Sequence, residues 1–198
     1  MLNELLEGAL KDKVRVVGVV TDDVSSNLIY ADRRVWQYPH NEYERVMVKE
    51  LAEEHGIECL KGRVNDQAFY EIIENQWRPD ICVMATFGQR IGKRLIDIPK
   101  MGFFNLHPCI DDAWPSQYVG GNPFDALIND GKRYTCVALH SIDEGYDTGP
   151  FIARSAKIAL PKVTSVTDMH KITAVSAASL AAEHIAKVIS TSQVLGVA

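Results

Sequence analysis

Apolar residues at helical spacing (Leu2, Leu5, Leu6, Ala9, Leu10) predict a helix over 2–10, and the β-branched run 14–20, ended by Thr21-Asp22-Asp23, predicts a buried strand behind it. Residues 21–40 hold Trp36, Tyr38 and Pro39 but no sustained period. Tyr43, Val46, Met47 and Leu51 mark a second helix, which Gly56 closes, and Ile57 to Leu60 reads as a short strand. Phe69, Ile72, Ile73 and Trp77 predict a third helix, stopped by Pro79 just before Ile81-Cys82-Val83-Met84-Ala85, the candidate central strand. Ile91, Leu95 and Ile98 suggest a short helix ended by Pro99, after which Gly102-Phe103-Phe104 leads as a strand into Asn105 and His107.

This alternation of strands and helices argues an α/β fold with a doubly wound, mostly parallel sheet. The last third departs from it. A short helix over 121–130 stops at Gly131, and strands over 135–142 and 151–160 are joined by an acidic loop too short for a crossover helix, so they pair antiparallel. An Ala-rich closing helix covers 166–189, and with no repeat or linker-like stretch the whole of 1–198 reads as a single domain.

Composition narrows the partners. The chain has 198 residues, 46% of them hydrophobic, enough for one well-buried core. A net charge of -5 without a long Lys/Arg block argues against generic binding to nucleic acid or anionic membrane and favours small molecules. Cys59, Cys82, Cys109 and Cys136 form no CxxC pair and mostly lie in apolar runs, so they read as reduced thiols of a cytoplasmic protein. No uninterrupted apolar stretch approaches the roughly 18 to 20 residues that span a bilayer, and the opening Met-Leu-Asn-Glu lacks a signal-peptide pattern.

Candidate chemistry gathers at two strand ends. Asn105 and His107 lie two apart, so on a continuing strand their side chains point the same way, and Pro108 fixes the exit. An amide donor beside an imidazole can hold a carbonyl oxygen and stabilise negative charge developing on it; the same pair can also do no more than hydrogen-bond a turn. The loop Asp143-Glu144-Gly145-Tyr146-Asp147-Thr148-Gly149-Pro150 is either a solvated acidic hairpin or the source of a carboxylate for His107. Asp147 is the better source, because Thr148-Gly149 follow it as a tight turn. Together these groups are equipment for acyl transfer.

The runs 80–89 (Asp80-Ile81-Cys82-Val83-Met84-Ala85-Thr86-Phe87-Gly88-Gln89), 97–100 (Asp97-Ile98-Pro99-Lys100), 105–108 (Asn105-Leu106-His107-Pro108) and 143–150, with 16–21 and 54–57, resemble the formyltransferases that use 10-formyltetrahydrofolate. Members include the catalytic domain of methionyl-tRNA formyltransferase, glycinamide ribonucleotide formyltransferase, and enzymes acting on amino sugars or hydroxyornithine. The resemblance spans roughly residues 3 to 190 and implies a Rossmann-like formyltransferase fold with Asn105, His107 and Asp147 as catalytic trio. It places 10-formyltetrahydrofolate, the formyl-donor co-substrate, along Phe87, Gly88, Gln89, Arg90 and Ile91 and against Asp143, Glu144 and Gly145. Arg90, Lys93 and Arg94 either meet the folate's glutamate tail or form a solvated helix turn. The implied chemistry needs no metal.

Three departures shape the expectations. Cys109 stands where the family usually has Ser, and we expect it only to pack. Asp111 and Asp112 occupy the loop that normally faces the acceptor and suit a cationic amine of hydroxyornithine type, whereas Trp114 and Tyr118 could stack on the base of a nucleotide-linked amino sugar. The family's opening strand, central in its sheet, has no counterpart before the first helix, so a central strand is expected to be missing and the true start to lie upstream of Met1. The family's methionyl-tRNA enzymes carry a C-terminal extension that has no counterpart here, and with the acidic charge this points away from tRNA. The partners expected are a folate and a small-molecule amine, with neither nucleic acid nor membrane, in a chain compatible with a homo-oligomer. The alternatives are a formyltetrahydrofolate hydrolase using the same trio and a truncated, inactive folate-binding homologue.

Overall fold

The computed structural model describes residues 1–21, 42–110, 113–119, 123–160 and 165–195. Helix α1 (Leu2–Glu7) stops earlier than its periodicity suggests, because Gly8 leaves the helical conformation. The apolar run after it is extended, but only its end, β1 (Val19–Thr21), enters a ladder. It pairs in parallel with β2 (Cys59–Lys61), Val19 opposite Cys59, across helix α2 (Glu42–Glu54).

Helix α3 (Gln67–Ile72) is capped by Asp66, whose carboxylate accepts from the Phe69 amide at 2.9 Å, and continues as a wider π-type turn, Ile73–Trp77. Arg78, left-handed at φ 47°, ends it before Pro79. The second sheet then builds: β3 (Cys82–Ala85), helix α4 (Lys93–Ile96), β4 (Phe103–Ile110), helix α5 (Pro123–Asn129), β5 (Tyr134–Ser141), β6 (Phe151–Arg154) and β7 (Ile158–Ala159), closed by helix α6 (Val166–Leu195). Its order is β3-β4-β5-β6, with β3 and β4 parallel, later pairs antiparallel, and β7 also on β5. The single strand expected over 151–160 is split at Ser155, whose hydroxyl accepts from the Val137 amide at 3.0 Å.

Alternation along the strands sorts the core into two layers. Ile81, Val83 and Phe104 face α6 with Val137, Leu139 and Leu180; Cys82, Met84 and Phe103 face Phe69, Trp77 and Leu95 on the other side. Odd positions of β4 therefore point away from α6, which decides where Asn105 and His107 project.

Between the two sheets the described residues leave a cavity of about 780 Å³, walled by 14–21 on one side and 81–87 on the other. The strands on its two walls, β1 and β3, belong to different sheets and do not pair with each other. Burial pushes the thiol of Cys82, which lines this cavity, up to about 12.

Helix α6 revises one expectation. Within Asp168–Val194 its most apolar 18-residue window has a mean hydropathy of 1.3, so by length and composition alone it is able to cross a membrane; Ser, Thr and His interruptions hide this from a search for unbroken apolar runs. Here it lies on the sheet through Leu180, Ala181 and Ile185.

Candidate active site

Strand register and two loops build the site. Asn105 and His107 project from one face of β4, and the antiparallel register sets Asn105 opposite His140 and His107 opposite Ala138 on β5. The small Ala138, with Cys136, leaves room on that face for Trp114, which packs on both. The β5–β6 loop brings Asp147 back over Asn105. Its turn is held by Asp143, whose carboxylate accepts from the Gly145 amide at 2.9 Å and the Thr148 hydroxyl at 2.8 Å. Gly149 closes it with no room for a side chain, since a Cβ there would stand 1.8 Å from the Ser141 carbonyl oxygen. Asp147 itself is left-handed at φ 51°, a conformation Asp tolerates better than most residues.

The four polar groups form one network. Asn105 Nδ2 donates to Asp147 Oδ1 at 3.0 Å and lies 3.1 Å from His140 Nε2. His107 presents Nδ1 to Asp147 Oδ2 at 3.5 Å and donates from Nε2 to the Tyr118 carbonyl at 2.7 Å. A carbonyl only accepts, so His107 Nε2 carries a proton; Nδ1 faces the carboxylate, where a second proton makes the ring a cation that can donate. Burial works against ionisation of Asp147, yet hydrogen bonds and charge from its polar neighbours, His107 foremost, outweigh it and hold the carboxyl below its ordinary range. Asn105, His107 and His140 are all buried, whereas the Asp147 side chain is 21% exposed. An ionised carboxylate that substrate can reach, beside an amide nitrogen and an imidazole nitrogen, can take a proton from a nucleophile while the other two meet an oxyanion.

The structure thus brings together Asn105, His107 and Asp147. Of the expected folate residues, Arg90 joins the two loops: its guanidinium donates to the Glu144 carbonyl and lies over the Tyr146 ring, 5.7 Å from its centroid. The others are used by the fold. Ile91 is buried, and Phe87 packs against its cluster. Gln89 accepts from the Val64 amide at 3.1 Å and donates to the Gly62 carbonyl at 2.7 Å, pinning its loop to the segment after β2. Asp143 and Gly145 shape the turn. Lys93 pairs with Asp97 at 2.7 Å and Arg94 with Glu74 at 2.7 Å, both on the exposed surface.

On the acceptor side, Asp111 and Asp112 lie outside the described residues. Trp114 donates from Nε1 to the Gly149 carbonyl at 3.1 Å, and its ring sits 4.7 Å from the His140 ring. Tyr118 corrects an expectation. Its ring is buried with Phe124, Leu127 and Met169, and its hydroxyl donates to Asp130 at 2.9 Å, so it cannot stack on a ligand; its main-chain carbonyl reaches the site and holds His107. His140, on the strand before the acidic loop, contacts both Asn105 and Asp147. Its signal was the antiparallel register of β4 and β5, which period-two patterning alone does not fix.

A family model described as formyl transferase matches residues 2–183. Methionyl-tRNA formyltransferase from Thermus thermophilus is 37% identical over 107 residues, which are 54% of this chain and 33% of that protein. The chain spans between 33% and 49% of the length of the curated relatives first matched. Among solved structures, phosphoribosylglycinamide formyltransferase from Streptococcus pneumoniae superposes with a TM-score of 0.59 at 17% identity, over 75% of this chain and 83% of that one. A formyltetrahydrofolate deformylase from Pseudomonas syringae does so with 0.55 at 18% identity, over 68% and 45%. These two likenesses show the fold.

Proposed function

The chain belongs to the formyl transferase family, and from that premise we propose that it moves a formyl group from 10-formyltetrahydrofolate to the amine of a small molecule. The observation that carries this reading is the convergence of Asn105, His107 and an ionised, substrate-accessible Asp147. The amine nitrogen bonds to the formyl carbon, the proton leaving the amine passes to Asp147, and the bond from that carbon to the folate nitrogen breaks as that nitrogen takes up the proton, which restores the carboxylate. Asn105 and His107 face the formyl oxygen as charge develops there. The donor lies between the loops that Arg90 joins, and no metal takes part. The net charge of -5 supports a small-molecule role, and Asp111-Asp112 support a cationic acceptor of hydroxyornithine type over a nucleotide-linked amino sugar.

Formate release to water is a second reading, motivated by the exposure of Asp147, which lets water take the place of the amine. Incubation with 10-formyltetrahydrofolate, alone and with hydroxyornithine, ornithine and amino-sugar nucleotides, separates the two. Amine-dependent appearance of tetrahydrofolate supports transfer. Release at the same rate without amine supports hydrolysis, and donor binding without any release leaves a folate-binding homologue.

A further inference from the structure

We propose that His140 is a positioning residue, fixing which end of the Asn105 side-chain amide faces Asp147 and the reacting carbonyl. The consequence for turnover rests on the formyl-transfer reading; the geometry does not.

The argument is hydrogen-bond arithmetic. His140 Nδ1 lies 2.8 Å from the main-chain carbonyl of Ser141, which can only accept, so Nδ1 carries a proton. In the neutral ring Nε2 is then bare, and its partner must donate. That partner is Asn105, with Nδ2 at 3.1 Å. Asp147 asks for the same end of the amide: its Oδ1 is 3.0 Å from Nδ2. The two acceptors sit 3.5 Å apart and share the amide nitrogen between them, so one proton of the NH2 group goes to each, and Asn105 Oδ1 is turned away.

Local structure keeps His140 in place for this. It is the cross-strand partner of Asn105 in the β4–β5 ladder, is only 2% exposed, and lies under the Trp114 ring. The neighbouring ladder has an irregularity between Leu139 and His140, where such shifts commonly re-aim a side chain.

The need for a second acceptor appears during the reaction. When Asp147 takes the proton from the attacking amine it becomes a neutral acid and no longer demands a donor. The amide proton it held is then free for the formyl oxygen, but only if the amide does not rotate by half a turn and present Oδ1, which would repel the developing charge. His140 does not change protonation in that step and holds the other proton throughout. It therefore serves as a pivot that keeps nitrogen, not oxygen, aimed at the reacting atom.

The test reads ring tautomers in the uniformly 15N-labelled wild-type protein by long-range 1H–15N correlation. The expected result is a His140 ring with its proton on Nδ1 and none on Nε2; a proton on Nε2 of His140, alone or together with one on Nδ1, overturns the proposal. This readout needs no turnover, so it stands even if wild-type protein is inactive with 10-formyltetrahydrofolate and every amine, the result that would sink the formyl-transfer reading instead. With an active acceptor, His140→Phe keeps ring volume and the Trp114 contact but offers no nitrogen. It is expected to lower kcat about 100-fold, with KM for 10-formyltetrahydrofolate unchanged. His140→Gln, which can still offer an acceptor, is expected to recover most of that loss. Wild-type kcat in folded His140→Phe contradicts the pivot, as does equal loss in both variants.

Discussion

The sheet β3–β6 and the pair β1–β2 are made from similar apolar, β-branched runs, yet they end in different states. In the first, β4 and β5 each have a neighbour on both edges and layers of side chains on both faces, and the polar groups of the site are bonded to one another. In the second, Val14 to Gly18 joins no ladder, and beyond it lies the apolar cavity. All four groups of the polar network stand on the first sheet or its loops. Among the described residues the β1–β2 half reaches the site through the loop after β3, which Gln89 pins to Gly62 and Val64. On the proposed function, proton transfer and oxyanion stabilisation would depend on the paired half, and donor binding on the junction between halves.

Substitutions on each side of that boundary should behave differently. The largest effect is expected from Asp147→Asn, which keeps the shape but removes the proton acceptor: kcat should fall by about 100- to 10,000-fold in a single-turnover assay, with donor affinity retained. Loss of affinity instead of rate would move Asp147 from chemistry to binding. Amide hydrogen exchange should divide the molecule next. Val137, Leu139 and the β4 amides are expected to exchange orders of magnitude more slowly than 14–21, because opening the latter breaks few ladder bonds. Equal protection on both sides would erase the contrast.

The same Asp147→Asn variant also reads stability against pH. A carboxyl held below its ordinary value of 3.8 stabilises the fold above that value, and the contribution is lost as pH falls below it. Wild type should exceed the variant by about 1 to 3 kcal/mol at pH 7, with the gap closing below pH 4 in chemical denaturation. A gap that widens towards acid would mean that Asp147 is not held ionised. The smallest effect belongs to Gln89→Ala. Losing two neutral hydrogen bonds of the loop should weaken donor binding by roughly 1 to 3 kcal/mol while kcat on saturating donor stays unchanged. A fall in kcat of the size seen for Asp147→Asn would show that the chemistry reaches across the junction after all.

Much of this organisation was legible in the chain. Period 3.6 around Phe69 to Trp77 and the stop at Pro79 gave the third helix, and Gly131 marked the end of α5 at φ 64°. That Asn105, His107 and Asp147 belong together was legible through the family resemblance, because spacing and turn residues alone also fitted a hydrogen-bonded turn and a solvated hairpin. What escaped depended on neighbours distant in sequence. Val14 to Gly18 carries full strand propensity but no ladder forms, since propensity cannot supply a partner edge. Tyr118 is as aromatic as a stacking residue should be, yet Asp130 and Met169 bury it. His140 became informative only when register set it against Asn105.

The central claim is that a formyl group passes from folate to an amine through Asn105, His107 and Asp147. Its most direct test follows the carbon itself: 10-formyltetrahydrofolate labelled with 13C in the formyl group, mixed with the protein and each candidate amine, with the label traced by NMR. The account predicts label in a formamide of the amine, at a rate that collapses in Asp147→Asn. Label in free formate, unchanged by the presence of amine, would contradict it.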